Sequence, residues 1–191
     1  MKKVLTKDFF ERPTLSVARE MLGKYLVRRV RGREVVAMIT EVEAYDGFRD
    51  KASHAHRGET RRNAVMFGNA GVWYVYLVYG MHEMVNIVTG GKGYPAAVLI
   101  RGVEGVLGPG RVTKHFHISR PLDGKVAEEQ NGLWVEDRGV RIHAKEIRRL
   151  PRVGVAYAGA WAEKKYRFVY LSSKRFKTKR TGGRPVRGSY H

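Results

Sequence analysis

In ITEVEAY, residues 39–45, two glutamates and a tyrosine recur at every second position. Side chains of a strand alternate between its faces, so Ile39, Glu41, Glu43 and Tyr45 share one face. Thr40, Val42 and Ala44 take the other. Two carboxylates beside a phenol are suited to activating a water, because an ionised carboxylate can accept its proton. An unperturbed glutamate has a pKa of about 4.3 and is ionised at neutral pH without special tuning. The same pattern fits a solvated edge face with salt bridges, and alternation does not choose between Glu41 and Glu43.

The next segment, SHAHRGETRRN at 53–63, brings His54 and His56 close to Arg57, Arg61 and Arg62. A histidine pair suggests a metal, but the chain has no cysteine and no H-x-E with P-C-x-x-C, the signature of the zinc nucleobase deaminases. These side chains read better as hydrogen-bond donors to phosphates or to a bound base, with a plain solvated basic loop as the alternative. Further on, VWYVYLVYGMHEMVNIV at 72–88 concentrates Trp73, Tyr74, Tyr76 and Tyr79. As a strand it places Trp73, Val75 and Leu77 on one face and Tyr74, Tyr76 and Val78 on the other. Trp73 and Tyr74 fit an ordinary β core. Tyr79, Gly80, Met81 and His82 fall where alternation breaks, at a hairpin tip, where a ring can wedge into a base step. GPGRVTKHFHI at 108–118 reads as a glycine-rich turn opening a helix, whose free N–H groups can hold a phosphate.

The elements that must position these groups are mostly strands. TLSVAREMLG, 14–23, reads as a short helix capped by Thr14 or Ser16 and stopped by Gly23. KYLVRRV and EVVAMITEVEAY read as strands joined by a turn at RGRE, 31–34. Residues 46–71 form a long functional loop with about one helical turn. Two strands flank YGMHE, and YPAAVLIRGVEGV is another β-rich run. GLWVEDR and VRIHAKEIRRL suggest a further hairpin, and PRVGVAYAGAWAEKKYRFVYL mixes loop, short helix and strand. Many short strands with few helices indicate an α+β fold on a mainly antiparallel sheet.

Composition narrows the partner. The chain has 191 residues, 43% of them hydrophobic, enough for one domain with a substantial core. Lys and Arg number 37 against 18 Asp and Glu, a formal charge of +19. Such a surplus favours a polyanion, usually nucleic acid, over a neutral small molecule. With no cysteine, a disulfide framework and a thiolate metal site are excluded. MKKVLTKDFFERP lacks the apolar core of a secretory signal, and no run reaches the ~18 apolar residues of a membrane span. An intracellular protein is expected, cytoplasmic or at the nucleoid in a prokaryote and nuclear in a eukaryote. No acidic residue follows Glu163, and residues 164–191 hold ten Lys and Arg. This end reads as a partly disordered, electrostatically adhesive tail.

Taken in order, these pieces resemble the alkyladenine (3-methyladenine) DNA glycosylase family. The resemblance runs through DFFERPTLSVAREMLGKYLVRR, ITEVEAYDGFRDKASHA, RRNAVMFGNAGVWYVYLVYGMHEMVNIV, AAVLIRGVEG, GPGRVTKHFHI and PRVGVAYAGAWAEKKYRF, covering about residues 5–168. Segment 119–150 matches only loosely. The resemblance implies a single α+β domain with a curved, mainly antiparallel sheet, short helices and a protruding β-hairpin. It sets a glycosylase domain at 1–168 and a basic tail at 169–191. It implies that Glu43 is the general base that deprotonates a water for attack at C1′ of the sugar. Arg101 and the backbone carbonyl of Val153 are implied to help hold that water. Tyr45, His54, Tyr76 and Asn86 are implied to form the base pocket, with Asn86 crowding the 2-amino group of guanine. Tyr79, with Met81 and His82 beside it, is implied to fill the gap in the duplex. Arg61, Arg62 and Lys114 are expected on the DNA backbone. The expected enzyme is monofunctional, a monomer without metal or cofactor, acting on double-stranded DNA that carries damaged purines. The competing expectation is a non-catalytic nucleic-acid-binding protein, which has no need of Glu43.

Overall fold

The computed structural model describes residues 2–78 and 80–171. Among these, ten strands join into one antiparallel sheet: β1 (Lys3–Val4), β2 (Tyr25–Val30), β3 (Arg33–Asp46), β4 (Trp73–Val78), β5 (His82–Val88), β6 (Ala96–Val103), β7 (Val106–Leu107), β8 (Leu133–Asp137), β9 (Ile147–Leu150) and β10 (Arg167–Tyr170). Three short α-helices accompany it: α1 (Lys7–Phe10), α2 (Thr14–Met21) and α3 (Pro109–His115). The main path runs β1-β8-β2-β3-β6-β5-β4. This is the expected α+β class. No helix among the described residues is long and apolar enough to cross a membrane.

Strand β3 is the hub. Its first half pairs with β2, its second half pairs on the same side with β10, and β6 runs along its other edge. The β2–β3 turn has two central residues, Arg31 and Gly32, with φ of 49° and 75°. Two left-handed residues in sequence match the twist of a tight hairpin. Helix α2 ends as expected, with Gly23 at φ 85°. Its start is different: Pro13 occupies the cap and no side chain caps the helix. Thr14 is buried, and its hydroxyl accepts a hydrogen bond from Thr89 at 3.2 Å.

The 133–150 hairpin does not form. β8 inserts between β1 and β2, and β9 pairs with β10. Its segments find strands distant in sequence, a choice that local pattern does not encode. The main core packs Phe10, Met21, Trp73, Ile100 and Phe116 between sheet and helices. Trp73 and Val75 face this core, while Tyr74 and Tyr76 pack in a second cluster on the opposite face.

The β3–β6 ladder departs from regular alternation at one place. Ile39 pairs with Val103, Glu41 with Gly102 and Val42 with Ile100. Thr40 is therefore an extra residue on β3 and Arg101 an extra residue on β6. Such bulges re-aim the side chains around them. Ile39 consequently joins Val42 and Ala44 in the core and does not share the face of Glu41 and Glu43, as strict alternation had it. The bulge is tightly filled. A Cβ on Gly102 would meet the Cβ of Glu41 at 3.1 Å and Leu107 at 3.2 Å. Gly102→Ala is expected to lower stability by about 1–3 kcal/mol through overpacking, read as a lower urea midpoint with unchanged slope.

Candidate active site

One face of the sheet hollows into a cleft of about 600 Å³. Glu43 and Tyr45 reach it from β3, Tyr74 and Tyr76 from β4, Asn86 from β5 and Arg101 from β6. Two loops complete it. One carries His54, at the start of a 3-10 turn over 54–57, and the other carries Val153. Met66, Met84 and Leu99 add apolar wall.

Glu43 lines this cleft and is fully buried. The Val153 N–H donates to its Oε1 at 2.8 Å. Its Oε2 accepts the Tyr45 hydroxyl at 3.0 Å and faces Arg101 Nη1 at 3.5 Å. Burial raises its pKa above the ordinary 4.5, and Arg101, the Val153 amide, Tyr45 and Arg167 pull the other way. The expectation of an untuned carboxyl is corrected here, because removal from water disfavours the anion and the donors offset only part of that cost. Glu41 has a different environment. Its Oε1 accepts Arg101 Nε at 3.1 Å and Arg167 Nη1 at 3.2 Å, and it is not among the cleft-lining residues.

The walls are rings. Tyr74 and Tyr76 lie 5.0 Å apart at 35°, and His54 sits edge-on to Tyr76 at 4.6 Å. His54 Nδ1 is 3.0 Å from the Tyr74 hydroxyl. Burial and the nearby Arg62 lower the His54 pKa below 6.5, so the ring is neutral at pH 7. Burial likewise pushes the Tyr76 phenol to about 12 and raises those of Tyr45 and Tyr74. All three remain neutral phenols. Asn86 is buried opposite Tyr74 in the ladder and donates through Nδ2 to the Tyr74 carbonyl at 3.1 Å.

The remaining predicted residues ring the cleft or lie farther out. Arg62 is at the rim, donating to the Leu77 carbonyl at 3.0 Å with its guanidinium 5.3 Å over Tyr76. Arg61 is exposed, as is Lys114 on α3. Met81 is 73% exposed at the tip of the β4–β5 hairpin. His82, at the start of β5, lies against Gly110, where a Cβ would come within 3.1 Å of its ring. Tyr79 and the tail from 172 to 191 lie outside the described residues. Val153 meets Glu43 through its N–H, a contact the sequence did not indicate. Also missed were Asp50, Arg152 and Arg167, which hold the lining from behind. Their one signal was position: Arg152 precedes Val153 in PRVGV, and Asp50 lies four residues after Asp46.

Comparison with known proteins gives the family. The family described as Methylpurine-DNA glycosylase (MPG) matches residues 8–108 and 105–174. A Methanocella arvoryzae protein is 43% identical over 190 residues, covering 89% of this chain and 94% of its own. An Anaeromyxobacter protein is 44% identical over 192 residues, covering 96% and 97%. One from Myxococcus xanthus is 42% identical over 183 residues, covering 89% and 91%. All three are provisionally named 3-methyladenine DNA glycosylases. Fold, cleft and relatives together define the class as a DNA glycosylase of DNA repair. Within that class, the chain belongs to the methylpurine-DNA glycosylase family.

Arg101 is the strongest of the groups opposing the desolvation of Glu43. Arg101→Leu is therefore expected to raise the Glu43 pKa further. In a ¹³C-carboxyl titration the midpoint moves to higher pH, and a midpoint that stays or falls contradicts the assignment.

Proposed function

We infer that the protein turns an alkylated or deaminated purine nucleotide out of duplex DNA and hydrolyses its N-glycosidic bond. A water activated by Glu43 attacks C1′. The water proton passes to the carboxylate, the new C1′–O bond forms and the C1′–N bond breaks. The base leaves and an abasic site remains. The observation that carries this reading is a buried carboxylate, held by three donors, at the wall of a cleft lined by tyrosine and histidine rings. A binding protein would gain nothing from burying such a charge.

The physical terms are consistent. Extrusion costs roughly a few kcal/mol, and stacking on rings returns about 1–3 kcal/mol per base. A purine alkylated at N3 or N7 is cationic and is drawn to the ring faces of Tyr45 and Tyr76. Its departure neutralises it, so less is asked of the chemical step. The Glu43 anion can also stabilise an oxocarbenium-like sugar. Arg101 and the Val153 carbonyl would help hold the water. His54 joins Tyr45 and Tyr76 around the base, and Asn86, held on the Tyr74 carbonyl, disfavours guanine. Tyr79, flanked by Met81 and His82, fills the vacated stack. Arg61, Arg62 and Lys114 meet phosphates. Among the described residues the cleft lining includes no lysine, which supports a hydrolase over a lyase. We assign the glycosylase domain to 1–168 and the basic tail to 169–191, and expect a monomer inside the cell that needs no metal or cofactor.

Duplexes carrying one 1,N6-ethenoadenine, hypoxanthine or 3-methyladenine should yield alkali-labile abasic sites with wild type. Glu43→Gln should bind the same duplexes and lose about 10²–10⁴-fold in single-turnover rate. Lesion binding without release of any base by wild type would sink the enzymatic reading and leave the binding protein. Deleting residues 172–191 should flatten the dependence of log K on log salt, because fewer phosphates are neutralised. An unchanged slope removes the tail from the interface.

A further inference from the structure

A buried ion pair behind the cleft takes no part in the chemistry above. Arg152 and Asp50 have no exposed side-chain surface. Arg152 Nη1 donates to Asp50 Oδ2 at 2.5 Å and Nη2 to Oδ1 at 2.8 Å. Three cleft-forming segments meet at this pair. Arg152 Nη1 also donates at 2.9 Å to the carbonyl of Ala44, the residue between Glu43 and Tyr45 on β3. Its guanidinium lies 4.8 Å over the Tyr45 ring and 5.3 Å over that of Tyr166. The Asp50 carboxylate accepts the Asp46 amide at 3.0 Å and the Ala52 amide at 3.1 Å. It thereby closes the loop that leads from β3 to His54. Arg152 is the direct chain neighbour of Val153, whose N–H sits on Glu43. From the other side, Arg167 Nε grips the Pro151 carbonyl at 2.8 Å.

A buried guanidinium and carboxylate are costly to remove from water, and plain apolar packing would serve stability as well. Arg152 Nε is moreover buried with no hydrogen-bond partner among the described residues. A buried donor left unpaired costs stability that the rest of the pair must offset. What the pair does secure is direction. It fixes the 151–153 segment against β3 so that one amide points at one oxygen of Glu43.

We propose that Asp50 and Arg152 are a positioning pair for Glu43: they hold the Val153 N–H on Oε1 and the Tyr45 ring beside Oε2, and so fix the carboxylate for its work on water. The link to catalysis rests on the function proposed above, whereas the link to the geometry of Glu43 does not. The charged and titratable groups facing Glu43 are Tyr45 on its own strand, Arg101 from β6, Arg167 from β10 and Tyr76 from β4, with Glu41 and Arg152 one shell out. Of these only Arg152 touches Asp50, and Asp50→Asn leaves its charge uncompensated, which by charge alone acts to lower the Glu43 midpoint.

The test compares wild type, Arg152→Lys and Asp50→Asn in the full chain. Arg152→Lys keeps a cation opposite Asp50 but cannot hold both carboxylate oxygens and the Ala44 carbonyl at once. Two readouts are used. One is the ¹³C-carboxyl titration of Glu43, which needs no substrate. The other is single-turnover excision at saturating enzyme against pH, with the Kd of the same lesion duplex. In Arg152→Lys, which keeps both charges, loss of the Val153 donor should move the Glu43 midpoint upward by about half a pH unit; in Asp50→Asn the lost anion acts the other way, so that variant is read on excision and lesion binding. Excision should slow by about 10- to 100-fold, as for a misplacement near 1 Å. Lesion binding should stay within about threefold, because the change falls on the chemical step. An unmoved Glu43 midpoint in Arg152→Lys overturns the proposal, even if excision slows, since the pair then only supports the fold. Failure of both variants to fold overturns it for the same reason. Wild type that titrates as expected yet excises nothing fails the proposed function and leaves the positioning claim standing.

Discussion

The site depends on one balance, the cost of keeping the Glu43 carboxylate out of water against the donors arranged around it. Burial alone favours the protonated carboxyl, which cannot accept a proton. Salt-bridging it fully would hold it ionised but occupy the lone pairs that the proposed water would meet. The structure takes a course between these. One oxygen receives a single backbone N–H at 2.8 Å, and the other a phenol at 3.0 Å with a guanidinium no nearer than 3.5 Å. The resulting upward pull on its pKa makes Glu43 a stronger base when ionised.

The second glutamate makes this arrangement possible. Glu41 takes the closer bond from Arg101 and shares one oxygen with Arg167. Arg101 is thus held mainly by Glu41 and only brushes Glu43. The bulge that sets this up is a paired irregularity, one extra residue on β3 and one on β6, so the ladder beyond it resumes in register. Strict alternation would put Val103 on the face of Leu99 and Arg101, whereas across the bulge it pairs with Ile39 and joins Ile100 in the core.

How much of this could be read in the chain varied with the range of the interaction. Period-two alternation separated Trp73 and Val75 from Tyr74 and Tyr76 as the structure does, but it did not say which face is the cleft, and Leu77, placed with Trp73, lines that cleft. It failed for Ile39, where the bulge reverses the faces. It could not separate Glu41 from Glu43, since both do lie on one face and differ in what other strands bring to them. The helix over 14–21 was visible, but not its cap, because Thr14 finds a partner 75 residues away. The expected 133–150 hairpin failed on the same ground. β8 and β9 each satisfy their edges with distant strands. Asp50, Arg152 and Arg167 carried no chemical signal in the chain. Each is an ordinary charged residue in a basic sequence until the fold brings it behind Glu43.

Sequence charge and site charge are also two different quantities. The chain carries a formal +19, yet the group behind the cleft is balanced. Glu41, Glu43 and Asp50 face Arg101, Arg152 and Arg167, three anions to three cations, all partly or wholly removed from water. An imbalance there would be paid for at low dielectric, where unpaired charge is far more costly than at the surface. Among the described residues Arg61 and Lys114 carry part of the excess at the surface, where salt screens it and a polyanion can meet it. Long-range attraction of DNA and short-range tuning of one carboxylate can then be adjusted independently. A surface lysine added or lost changes association and its salt dependence, while the field at Glu43 is set by buried or half-buried neighbours, Arg101, Tyr45 and Arg167 among them.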